Sequence, residues 1–202
     1  MRHLLLLITL LAACSSDPTP EPGALNNDLD MVVANYTCAG PPLTLPACTT
    51  GTVAQLADDG AAHVPLPTPI TYTTIPPASG PHRPFWAAWG EYSYLPPQVY
   101  VHNLEHGGVV VAYDPCLPAA EVAKLRAAIA QAKTKVAAQP LRYLLTPAQG
   151  MKQPVMAAAW RWRYGNSCVN ADDLAAFIVA RHAMAPENVM GGDSYKTNWL
   201  SY

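Results

Sequence analysis

No cluster of Lys or Arg occurs in this sequence. Its 12 basic residues are scattered among 14 acidic ones, for a formal net charge of −2, so nucleic-acid binding has no electrostatic support. Trp160-Arg161-Trp162-Arg163 alternates aromatic and basic residues, but a period of two suits a strand with Trp inward and Arg outward. Long apolar runs are missing after residue 11, and none reaches the ~20 residues of a membrane-spanning helix. Cysteines in C-x-x-C spacing are absent, which weakens a thiolate metal site. Ser79-Gly80 lacks the G-x-S-x-G elbow and a visible Asp-His partner set. A serine hydrolase is therefore not expected, and Ser79 should bond the backbone of its own turn.

The amino terminus does carry a signal. Arg2 and His3 precede the apolar run Leu4 to Leu11, followed by Leu11-Ala12-Ala13-Cys14. That is a positive start, a hydrophobic core and a small-residue cleavage site. The Leu-Ala-Ala-Cys ending looks like a bacterial lipobox, which implies cleavage before Cys14 and lipidation of its thiol. Residues 1–13 are then a signal peptide. Residues 14–30, polar and Pro-rich, form a disordered tether, and residues 31–202 form a single globular domain. The expectation is an exported lipoprotein of the cell envelope, its membrane partner reached through the lipid anchor outside the cytoplasm.

With Cys14 lipidated, four cysteines remain in an oxidising compartment: Cys38, Cys48, Cys116 and Cys168. An even count there reads as two disulfides. Three connectivities are open. Cys38–Cys48 is the natural clip of a local Pro-rich loop, and Cys116–Cys168 would then tie the first hairpin region to the last helix.

Of 21 prolines, 15 lie between positions 18 and 97, so the long N-terminal half reads as extended loop. Val99 to Asn103 and Gly108 to Tyr113 read as strands from their β-branched and aromatic content. Pro118 begins a helix over 119–138, in which Val122, Leu125, Ile129, Ala132 and Val136 form an apolar stripe. Glu121 near its start and Lys133 and Lys135 near its end suit the helix dipole. Leu141 to Leu145 and Val155 to Trp162 are the next strands. Asn170 caps a last helix, with His182 on its apolar side beside Leu174 and Ile178. The order β-β-α-β-β-α predicts an α+β fold, a small sheet with two helices on one face.

The chemistry concentrates in Val101-His102-Asn103-Leu104-Glu105-His106-Gly107-Gly108-Val109 and in Pro81-His82. Imidazole nitrogen with or without a carboxylate suits a transition metal. His82, His102 and His106 are the expected ligands of a copper or zinc ion. His182 is a fourth candidate, and Glu105 a ligand or an orienter of one. His63, in a Pro-rich loop with no evident partner, reads as surface. His102 to His106 also matches the H-x-x-E-H pattern of inverzincin metalloproteases, which must lie on a helix. The two glycines and the flanking β-branched runs argue against a helix here. Met151, Met156, Met184 and Met190 offer thioethers for Cu(I), but such methionines more often fill core gaps.

Together, Tyr72, Pro76-Pro77-Ala78-Ser79-Gly80-Pro81-His82, Gly90-Glu91-Tyr92 and Val101 to Val111 resemble the bacterial family called domain of unknown function 3105. The resemblance runs over about residues 70–190, including Ala159-Trp160, His182 and Pro186-Glu187. It implies exported or membrane-attached proteins and brings no activity with it. Ala78 stands where the pattern often has Thr. The expected function is metal sequestration or delivery at the envelope, more in keeping with a binding protein than an enzyme. A non-catalytic interaction protein with fold-bracing histidines is the first alternative. A metal-dependent hydrolase is the second.

Overall fold

The computed structural model describes residues 36–136, 140–190, 195–196 and 199–201. The signal peptide, Cys14 and the tether lie outside the described residues. The fold is α+β. In chain order the elements are β1 (Thr52–Gln55), β2 (Gly90–Tyr92), α1 (Pro97–Glu105), β3 (Val109–Tyr113), α2 (Ala119–Lys135), β4 (Tyr143–Pro147), β5 (Val155–Ala159), β6 (Trp162–Asn166), α3 (Ala171–Arg181) and β7 (Trp199–Ser201). Among the described residues no helix is long and apolar enough to cross a membrane.

One mixed sheet runs β1-β6-β5-β3-β4-β2-β7. Strand β4 lies between β2 and β3 and is parallel to both. The chain therefore crosses from β2 to β3 through α1, then steps back to β4 through α2. Crossovers of the usual right hand that run in opposite directions place their helices on opposite faces. Packing follows that rule. Val109, Val111, Tyr143, Leu145, Val155 and Ala157 join Leu125, Ile129, Leu174 and Ile178 of α2 and α3 in one core. Val110, Leu144 and Ala158, of opposite parity, join Val99, Tyr100, Val101 and Leu104 of α1 in the other. Two helices do share one face, as expected, while a third covers the reverse. Leu144 is fully buried at the centre of that reverse core. Leu144→Ala is expected to cost about 2–5 kcal/mol, read as a lowered denaturation midpoint with an unchanged denaturant slope.

Helix α1 replaces the strand expected over Val99 to Asn103. Every residue from Gln98 to Glu105 is buried, so no solvent-exposed face marks the helix, although Gln98, His102 and Glu105 share one of its sides. Its ends carry the signal instead. Pro97 occupies the first turn, where its missing N–H costs nothing. At the far end Gly107 N donates to Leu104 O (3.0 Å) and Gly108 N to Asn103 O (2.9 Å). That pair of bonds is a Schellman cap, with Gly107 at φ +81° as its left-handed residue. The Gly-Gly pair that argued against a helix is what ends it.

Two other expectations are corrected. The strand over Val155 to Trp162 is a hairpin: Trp160 and Arg161 form a two-residue turn between β5 and β6, with Arg161 at φ 63°. Trp160 joins the α1 core, while Trp162 packs against the α2–α3 core under the Arg181 guanidinium (3.4 Å). The tryptophans thus serve different cores. The disulfides are Cys38–Cys116 and Cys48–Cys168, closing separations of 78 and 120 residues. Neither is the local clip. The segment carrying Cys38 and Cys48 lies along the domain instead of curling on itself: Leu43 N donates to Cys116 O (2.9 Å) and Asn166 Nδ2 to Thr49 O (2.9 Å). Helix α3 begins with the expected cap, Asn170 Oδ1 accepting from Asp173 N. Helix α2 ends at Lys135, short of residue 138, which lies outside the described residues.

Candidate metal centre

The carboxy-terminal end of α1 supplies His102, Glu105 and His106, one helical turn in which positions i, i+3 and i+4 share a face. The partial negative charge of a helix terminus favours a cation there. Loop 82–88 is tied down along the helix. Arg83 N donates to Gln98 O (2.8 Å), and Asn103 clasps the backbone of Ala87 through two bonds of 2.9 Å. This places His82 over the last turn. His82 in turn pairs with a strand-like stretch, Val64 N to His82 O (2.7 Å) and His82 N to Ala62 O (2.9 Å). That bridge delivers His63. Ser79 bonds outside its own turn, its Oγ accepting from Asp59 N.

One ligating atom from each of His63, His82, His102 and Glu105 lies within 4.8 Å of the others. Glu105 Oε2 is 3.1 Å from His82 Nε2 and 3.7 Å from His63 Nε2. A tetrahedral zinc ion with bonds of ~2.0–2.1 Å would set its ligand atoms about 3.4 Å apart.

The tautomers point the same way. His82 Nδ1 faces Gly80 O at 2.9 Å, and His102 Nδ1 faces Arg83 O at 2.8 Å. A carbonyl only accepts, so both Nδ1 atoms carry the proton and both Nε2 atoms carry a lone pair. Backbone carbonyls orienting imidazoles in this way are a common support for metal ligands. His82 is fully buried, and its Nε2 has no hydrogen-bond partner. A carboxylate oxygen of Glu105, another acceptor, lies 3.1 Å from it. Two lone pairs 3.1 Å apart repel unless a proton or a cation lies between them.

Burial holds these imidazoles neutral. It pushes His82 down to about 4, with the Gly80 carbonyl opposing and His63 and His106 adding to the shift. It pushes His102 down to about 3, against the Arg83 carbonyl and with three neighbouring imidazoles adding. His106 is lowered by burial, with Glu187 opposing. Burial and then Glu187 raise the Glu105 carboxyl, while His63 opposes. Neutral imidazole is the form that ligates a metal.

Of the expected ligands, the fold thus brings His82, His102 and Glu105 together. His106 sits beside them, its ring 4.8 Å from that of His102 and 3.8 Å from that of Trp86. Its Nε2 is 3.3 Å from Glu187 Oε2. His182 stands apart, its Nε2 accepting from Arg142 N (3.2 Å) and from Arg142 Nε (3.4 Å). His63 joins the group although its side chain is half exposed, at 51%. Its exposure is as expected, but its isolation is not. Nothing in spacing marks it, because only the backbone bridge to His82 brings it in. The methionines are dispersed: Met156 is buried, while Met184 and Met190 are exposed.

His182 gives a separate pH prediction. Burial and then the Arg142 guanidinium push it down to about 4 from an ordinary 6.5. The unfolded chain therefore takes up this proton first as pH falls. The stability involved is present above pH 6.5 and is lost from there down to about pH 4, by up to about 1.4 kcal/mol per pH unit. Denaturation in chelator at pH 7, 5.5 and 4.5 should show a steeper loss for wild type than for His182→Gln. Equal slopes would mean that His182 has no such role.

A family profile described as "Protein of unknown function (DUF3105)" matches residues 63–192. The match begins at His63, so the four clustered imidazoles all fall inside it. No curated protein and no solved structure matches the chain.

Proposed function

We propose a function for this member of the DUF3105 family, to which the chain belongs and whose description names no activity, from its site alone: it binds one transition metal ion, copper or zinc, for sequestration or delivery at the cell envelope. The ligands are His63, His82, His102 and Glu105. The observation that carries this reading is the fully buried His82 Nε2, which has no hydrogen-bond partner and lies 3.1 Å from the Glu105 carboxylate, two acceptors that a cation would satisfy together. Three imidazoles and one carboxylate are a donor set for Zn(II) or Cu(II). All four paired cysteines are in disulfides, so no thiolate from them is offered to Cu(I). A half-exposed His63 lets an ion enter and leave.

The lipobox-like Leu11-Ala12-Ala13-Cys14 and the two disulfides support export and a lipid anchor through Cys14. The test is metal analysis of protein purified from an oxidising compartment, with His82→Ala and His102→Ala in parallel. Unchanged metal content in both variants ends the proposal.

Two observations favour other readings. A raised Glu105 carboxyl can keep its proton and donate it to His82 Nε2, making a fold-bracing polar cluster without metal. That reading expects no metal-dependent shift in melting. Helix α1 also removes the objection to the H-x-x-E-H pattern. A hydrolase needs Glu105 to act on a metal-bound water, so Glu105→Gln would then abolish turnover and keep the ion.

A further inference from the structure

We infer that the site holds a second divalent cation beside the first, ligated by His106 and Glu187 and joined to it by Glu105 as a bridging carboxylate. This rests on the metal-binding reading above and extends it. One ligating atom from each of Glu105, His106 and Glu187 lies within 4.8 Å of the others. Glu105 belongs to both groups, and a carboxylate has two oxygens with which to serve two ions. Metal pairs bridged in this way sit ~3.5–4 Å apart.

The second group is built, not incidental. His106 is almost fully buried, yet its Nε2 faces the carboxylate of Glu187 at 3.3 Å, and its Nδ1 has no hydrogen-bond partner. The loop bringing Glu187 is pinned to the helix end, because Glu187 N donates to Glu105 O (3.1 Å). Buried Arg142 reinforces this by donating to His106 O, Val189 O and Asn188 Oδ1. Two carboxylates are thereby held together at the negative end of α1, where like charges repel and a cation relieves them. The fully buried His82 Nε2, without a hydrogen-bond partner, lies 3.1 Å from the same Glu105. One imidazole with two carboxylates is a harder donor set than the first group. Glu187 is half exposed, at 54%, so this second position exchanges faster and faces solvent.

The experiment titrates metal-free protein with Zn(II) alone, followed by calorimetry and by the fluorescence of Trp86, which touches both His102 and His106. Wild type should take two equivalents, one tight and one weaker. Glu187→Gln, a half-exposed change that keeps the Glu187 N–H bond, should take one and, relieved of the repulsion with Glu105, melt no lower than wild type when metal-free. With two equivalents of Cu(II), coupling through the bridge should give wild type less than two spins of paramagnetic resonance intensity. Wild type saturating at one equivalent overturns the second position and leaves the first reading standing. Two equivalents in both proteins also overturns it, by removing Glu187 as a ligand. No binding at all removes both readings.

Discussion

Alanine at His82 is expected to weaken Zn(II) binding by at least about 100-fold. Loss of a group that merely orients a ligand costs about 10–100-fold, and a ligand removed from a set of four should exceed that. The consequence for stability is large. An ion present at about 1,000 times its Kd stabilises the native state by about 4 kcal/mol. In a domain of this size that raises Tm by about 8–16 °C. Wild type should show this rise on adding Zn(II), and His82→Ala should show almost none. His102→Ala should behave alike, and both variants should start lower without metal, since each abandons a carbonyl, Gly80 O for His82 and Arg83 O for His102. Orphaning a buried acceptor costs about 1–3 kcal/mol. Running each melt with and without chelator separates the two effects. His182→Ala serves as the control, because His182 bonds Arg142 and no member of the cluster. A Zn(II) shift that survives in His82→Ala would move the ion elsewhere.

Removing the Cys48–Cys168 disulfide is expected to cost the domain about 4–5 kcal/mol. On chain entropy alone, a loop closed over 120 residues is worth about 4.9 kcal/mol, which lowers Tm by about 10–20 °C. This link also seats the segment around Thr49 and Gly51 against α3. Asn166 donates to Thr49 O, and Gly51 N donates to Asp173 Oδ2 at 2.6 Å. The paired change Cys48→Ser with Cys168→Ser, compared with wild type in denaturant, measures the effect. A loss below ~1 kcal/mol would mean that these contacts hold without the bond. Peptide mapping under non-reducing conditions should recover Cys38 with Cys116 and Cys48 with Cys168. A Cys38–Cys48 peptide would contradict the fold as described.

Where contacts are local, the sequence carries the signal of the element. Helix α2 announces itself because one face meets the sheet and the other meets water, so Val122, Leu125, Ile129 and Ala132 keep a helical period. Helix α3 declares its start through Asn170 and the two aspartates that follow. Strand β3 is short, apolar and β-branched and appears where expected; β4 begins two residues later than expected, and β5 is the first half of the expected strand over Val155 to Trp162. Helix α1 is hard to read by the same logic, since it has no solvent-facing side and its only helical stripe is the short polar one of Gln98, His102 and Glu105. Val99-Tyr100-Val101 then looks like strand, and only Pro97 and the Gly107-Gly108 cap betray the helix. The Trp160-Arg161 turn carries no Asn-Gly or Asp-Gly, and a continuous alternation hid it.

By themselves the residues determined the donor chemistry, the even set of disulfide-forming cysteines and the α+β class, because each depends on composition or on contacts within a few positions. Tertiary structure alone decided that His63 meets His82 across a backbone bridge and that His182 turns to Arg142. It also decided that the cysteines pair over 78 and 120 residues. Such choices are made by where buried segments of unlike sequence come to lie against each other. Proximity of that kind leaves no trace in the spacing of one chain.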